Sequence, residues 1–291
     1  MKQFNSLFLL YAISLAFAFT ACSSSDDSDD KTPQPVDLTP AGVVAVDLGL
    51  PSGTKWANMN VGASKPEDYG LFFAWGETKG YSSSILDKEF NESENVYIAY
   101  TDRSFDWATY KFSPDNWIQP NRRPLNFKKY NNYGDILEAE DDVATANWSS
   151  KWRMPTHAEW QELARNCYWE WATSYNGVAG FIVYEAKNAA HKGKMKDSSG
   201  TVCDMSTWDV DTSFSGSYTT NDTHIFLPAA GYRRDTRLYG HDSYCGYWSC
   251  ELHTTDVYYA WFLYSYDGYV LADGDKFGRE FGQSVRPVQA Q

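Results

Sequence analysis

The sequence predicts an α+β fold: two helices packed on short, mostly antiparallel strands with long loops. Two observations carry this. Stretches with helical spacing stand side by side at residues 136–148 and 156–167. Many short apolar and aromatic runs flank them without β-α-β alternation, which argues against a doubly wound parallel sheet.

Taken in order, the chain opens with a leader. Lys2 gives a basic start, residues 7–19 are apolar, and Thr20-Ala21-Cys22 follows, the pattern of a secretory signal. The run is short for a transmembrane helix. Small residues before Cys22 are similar to a lipobox, with Phe19 in place of the usual Leu. Residues 1–21 are therefore expected to be removed and Cys22 to become the lipidated first residue. Residues 22–41, with S-S-S-D-D-S-D-D at 23–30 and Pro33, Pro35 and Pro40 beyond, read as a disordered Ser/Asp/Pro tether. Its length sets the folded part on the order of 25 Å from the lipid.

Residues 42–291 read as one domain with a loop-rich, irregular insertion near 81–132. Residues 43–48 are apolar and β-branched, Pro51-Ser52-Gly53 turns the chain into 55–61, and 71–75 follows. In the first helix Leu137, Val143, Ala144 and Trp148 are spaced for one face. In the second, Thr156 and Glu159 form a capping box behind Pro155. Trp160, Leu163, Ala164 and Cys167 then recur at i, i+3, i+4 and i+7, a stripe that must bury against a sheet. Residues 180–186, 224–230, 246–252, 257–265 and 283–288 complete the strands.

Composition excludes some functions. The formal charge of -13 becomes -14 when Lys2 leaves with the leader, which disfavours nucleic acid and anionic headgroups as partners. Of five cysteines, Cys22 is assigned to lipid. Cys167, Cys203, Cys245 and Cys250 remain, and Cys167 on the buried stripe is expected to be unpaired. The five histidines form no metal-binding pattern, and Asp141-Asp142 reads as a solvated helix face. No metal, no cofactor and no catalytic set is expected.

Several motifs carry a family resemblance. Trp152-Arg153-Met154-Pro155-Thr156 with Glu159-Trp160 resembles the helix entrance of formylglycine-generating-enzyme-type domains, a bacterial branch of the C-type-lectin-like fold. Val46-Asp47-Leu48-Gly49-Leu50-Pro51-Ser52-Gly53, Phe73-Ala74-Trp75-Gly76-Glu77, Phe226-Leu227-Pro228-Ala229-Ala230-Gly231, Tyr247-Trp248-Ser249 and Ser284-Val285-Arg286-Pro287-Val288 resemble successive motifs of the Fibrobacter-type major paralogous domain. The resemblance spans residues 43–288. It implies a C-type-lectin-like fold and a surface lipoprotein of the Bacteroidetes type, held in the outer membrane by the lipid on Cys22 and facing the cell exterior. Arg153 and Arg286, which lie inside these motifs, read as structural residues paired with carboxylates or carbonyls.

Three functional readings follow. The first is a non-catalytic binding module for a glycan or a surface protein, using the late aromatic segment: Tyr258, Trp261, Tyr264, Tyr266 and Tyr269 with Asp267 and Asp273. Strand alternation leaves one aromatic face of residues 257–265 outside the core in either register, and rigid rings stack on sugars or protein surfaces. The alternative is packing of this segment under the insertion. The second reading is a structural component of a cell-surface assembly or adhesin. The third is a copper-dependent oxidase, since the spacing of Cys245 and Cys250 resembles the cysteine pair of formylglycine-generating enzymes and thiolates suit Cu(I). Gln119-Pro120-Asn121 is similar to a calcium-dependent sugar triplet but precedes the helices.

Overall fold

The computed structural model describes residues 37–290, apart from the side chains of residues 275 and 276. The leader, the proposed lipid site at Cys22 and tether residues 23–36 lie outside the described residues. Strands β1 (Ala45–Asp47), β2 (Lys55–Ala57), β3 (Glu89–Asn91) and β4 (Val96–Ile98) precede the short helix α1 (Val143–Asn147). After β5 (Trp152–Arg153), helix α2 (His157–Asn166) runs directly into β6 (Cys167–Tyr175), followed by β7 (Val178–Glu185), β8 (Lys194–Lys196) and β9 (Val202–Asp204). Then come β10 (His224–Pro228), β11 (Tyr232–Arg234), β12 (Arg237–Tyr239) and β13 (Tyr244–Leu252). The last three are β14 (Tyr259–Tyr266), β15 (Tyr269–Gly278) and β16 (Val288–Gln289).

These strands form sheets ordered β1-β2-β16-β5, β10-β7-β6-β8-β9, β11-β12-β4-β3 and β13-β14-β15. Of the pairings between them, only that of β6 with β8 is parallel. The α+β class and the mostly antiparallel strands agree with the sequence reading.

Alternation along β13 divides the core. Tyr244, Trp248, Cys250 and Leu252 join the apolar cluster built on Trp75, Phe105, Trp107 and Phe262. Cys245 and Tyr247 point the other way, into the cluster of Trp160, Leu163, Leu263, Val270 and Ala272. The three-stranded sheet is thus covered on both faces. Along β14 Phe262 is buried on one side and Leu263 on the other, while Tyr266 at the end of the strand stays exposed.

Helix α2 forms as its sequence dictates. The Thr156 hydroxyl accepts from the Glu159 amide at 3.1 Å, and Glu159 accepts from the Thr156 amide at 2.8 Å. Glu159 also takes a bidentate pair from Arg153, both bonds 2.7 Å. The motif is thereby a clamp between β5 and the helix entrance, and Trp160 and Leu163 bury completely behind it. Arg286 is equally internal. It donates to Asn60 Oδ1 at 2.9 Å, Ala57 O at 3.2 Å and Phe226 O at 2.7 Å, and burial pulls its pKa down to about 10.

Several expectations need correction. The first helix is confined to Val143–Asn147 rather than spanning 136–148, and Asp141-Asp142 is buried rather than solvated. Asp142 caps α1 by accepting from the Thr145 amide at 2.9 Å and also accepts from the Met154 amide at 2.8 Å. Burial opposes ionisation of Asp141, but hydrogen bonds from Lys111, Lys129 and Tyr130 outweigh it and hold its pKa below the ordinary value. The insertion near 81–132 is not merely loop: it supplies β3 and β4 and buries Trp107, Tyr110, Phe112 and Phe127 in the core. Part of the assigned tether is docked, since the Leu38 amide donates to Trp148 O and Asp37 pairs with Lys151 at 2.7 Å.

Candidate functional site

While one stripe of α2 packs into the core, the neighbouring stripe lines a cleft of about 570 Å³. Gln161 and Arg165, four residues apart and so stacked on one helix face, form its first wall. Residues 270–273 of β15 form the second, and Lys192-Gly193 with the turn after β9 the third.

That turn presents Trp208. The Asp204 amide donates to Asp209 O at 2.9 Å and the Trp208 amide to Asp204 O at 2.7 Å. The Asp204 carboxylate accepts from both the hydroxyl and the amide of Ser206 and pairs with Lys194 at 3.0 Å. These donors, Ser206 first, hold its pKa down at about 2. The turn forces Trp208 to φ 64°, a left-handed conformation that costs a bulky residue on the order of 1 kcal/mol. The indole stacks on Tyr269 at 4.7 Å and 11°, and Tyr269 on Tyr266 at 5.1 Å and 21°. Trp208 nevertheless stays 38% exposed and Tyr266 41%. Of this row of three rings, Trp208 lines the cleft and Tyr269 and Tyr266 stack behind it.

Asp273 closes the β15 wall. The pairing of β14 with β15 shifts by one residue between Tyr264↔Leu271 and Phe262↔Gly274, and such a bulge re-aims the side chains it contains. Asp273 lies 2.9 Å from His157 Nε2 and accepts from Gln161 Nε2. The His157 ring in turn lies flat on Trp261, centroids 4.0 Å apart at 2°, and His253 packs on the same indole at 4.2 Å.

The residues expected as a site are thus dispersed. Asp273 reaches the cleft, Tyr266 and Tyr269 belong to the row of rings, and Tyr264 backs that row at 5.6 and 5.9 Å. Trp261 sits beneath His157, and Asp267 holds the amide of Ser198 at 2.8 Å together with its hydroxyl. Tyr258 is elsewhere: its hydroxyl donates to Pro124 O at 2.8 Å and its ring meets Trp107 and Phe127. For Tyr258 the packing alternative describes the structure. Sequence reasoning missed Trp208, Gln161, Arg165 and Lys192. The one signal for Trp208 is an aromatic residue inside the polar, turn-rich stretch 197–213.

Two other features bear on the alternatives. Cys245 and Cys250 are both buried free thiols on β13 and point into different core clusters. Burial raises both pKa values, that of Cys245 to about 12. Pro120 and Asn121 of the sugar-type triplet line a second pocket of about 280 Å³ beside Arg123, Tyr259 and Glu280. Burial pushes the Glu280 carboxyl up to about 8, and its Oε2 has no hydrogen-bond partner among the described residues.

Comparison of the chain with protein-family models, curated proteins and solved structures returns no match.

Proposed function

We propose that this protein is a lipid-anchored, non-catalytic binding module of the C-type-lectin-like fold, exposed at the cell surface, whose cleft beside α2 takes a saccharide. The observation that carries the reading is the row Trp208, Tyr269 and Tyr266, partly exposed, at a cleft of about 570 Å³. Trp208, the ring of the row that lines the cleft, offers apolar surface to the C–H face of a sugar while Tyr269 backs it, and Gln161, Ser206, Asp204 and Asp273 place hydrogen-bonding groups in the same cleft. The fold and address rest on the motif resemblance and on the Cys22 leader.

The oxidase reading has less support, because the buried thiols of Cys245 and Cys250 point into different core clusters. The test is a glycan array probed with the whole chain in detergent, wild type beside Trp208→Ala. Retention of one saccharide class, lost in the variant at unchanged melting temperature, is expected. A blank array, or binding that Trp208→Ala leaves intact, refutes the cleft as a saccharide site.

A further inference from the structure

We infer that the saccharide is acidic, a hexuronate-bearing oligosaccharide whose carboxylate is read by Arg165 and Lys192. This rests on the saccharide reading and adds the charge of the ligand. The chain carries a formal charge of -13, so its general field repels anions. Local pairing accounts for most of its surface cations. Lys194 lies between Asp204 and Asp211, Lys196 meets Glu170, Lys187 meets Asp222 and Arg237 meets Glu94.

The cleft departs from this pattern. Arg165 is exposed and has no carboxylate partner among the described residues, and the Lys192 ammonium has only the Asn166 amide oxygen at 3.3 Å. Glu162, on the preceding turn of α2, is committed to Ser52 through bonds of 2.8 and 2.6 Å. The two carboxylates of the cleft are also engaged. Asp204 is held by Lys194 and Ser206, and Asp273 by Gln161 and His157. What remains unneutralised is one guanidinium and one ammonium.

Arg165 offers a planar pair of donors that matches a carboxylate, and Lys192 offers a point charge beside it. Trp208 lines the same cleft, on the wall that also carries Lys192. A ring for the indole and a carboxylate for the cations are both present in a hexuronate unit, whereas a neutral hexose leaves both cations without a partner.

The experiment compares hexuronate oligosaccharides with the same oligosaccharides after reduction of their carboxylates to alcohols, by calorimetry on the whole chain. The reduced forms are expected to bind about tenfold more weakly. Arg165→Gln and Lys192→Gln are each expected to weaken the uronate forms several-fold, leave the reduced forms unchanged and flatten the salt dependence, while Trp208→Ala weakens both forms. Equal binding of reduced and unreduced forms, with Trp208→Ala still disruptive, overturns the inference and spares the saccharide reading. Binding of neither form overturns both.

Discussion

At one end of β14, Tyr258, Ala260 and Phe262 pack beneath the segment 105–130; at the other, Tyr264 and Tyr266 stand with Tyr269 and Trp208 beside an open cleft. The side chains are of one kind and their neighbours decide their roles. Over the first end lie Trp107, Phe127 and Arg123, whose guanidinium is 4.9 Å from the Tyr258 ring. Over the second lie the turn bearing Trp208, which contributes a ring of its own, and Ser198, which is held by Asp267. Aromatic content therefore marks both a core and a surface in this chain, and the insertion separates them.

The largest test of that contrast is Phe262→Ala. Phe262 is 3% exposed and meets Phe277 at 4.9 Å and Trp248 at 6.1 Å. Its removal is expected to cost about 3–5 kcal/mol in urea unfolding; a loss below about 1 kcal/mol would show that the covered end is not packed.

The covered end also sets a pH dependence. The folded pKa of Glu280, about 8, lies above its ordinary value of 4.5. Between these values the folded state holds a proton that the unfolded chain has released, so the stabilisation is full below about 4.5 and is lost as pH rises through 8. Glu280→Gln, which imitates the neutral acid, is expected to be more stable than wild type by on the order of 4 kcal/mol at pH 8.5 and by under about 1 kcal/mol at pH 5. Melting curves that differ by the same amount at both pH values would contradict this.

The smallest change in stability is expected at the open end. Trp208→Gly relieves the left-handed strain and gives up the stack on Tyr269, so the two effects offset to within about 1 kcal/mol, while saccharide binding is lost. Thermal melts and calorimetry on one preparation would check both halves of this expectation.

Helix α2 was readable because its signals are local: Thr156, Glu159 and the 160/163/167 spacing act within a few residues of one another. Asp141 and Asp142 were misread because their partners, Lys111 at 2.5 Å and the Met154 amide, lie a dozen or more residues away. Along β14 the two-residue alternation holds, with Tyr258, Ala260, Phe262 and Tyr264 toward one cluster and Leu263 toward the other, whereas the register shifts put extra residues into β15, which no local spacing marks. The Asp267-Gly268 dipeptide, with Gly268 at φ 79°, is the local mark of the hairpin that joins these strands. Trp208, Arg165 and Lys192 come from three segments that only tertiary structure brings together, so no spacing announces them.

The place of β16 has a kinetic meaning. Val288 pairs with Trp56 on one side and Arg153 on the other, in the interior of a sheet that begins at Ala45. Closing this sheet joins residues more than two hundred positions apart, a high contact order that slows folding. Until residues 285–289 are available, β2 and β5 lack the strand between them and the Arg286 anchor has not arrived. The nascent chain thus cannot complete this sheet until residues 285–289 have been made and have entered between β2 and β5.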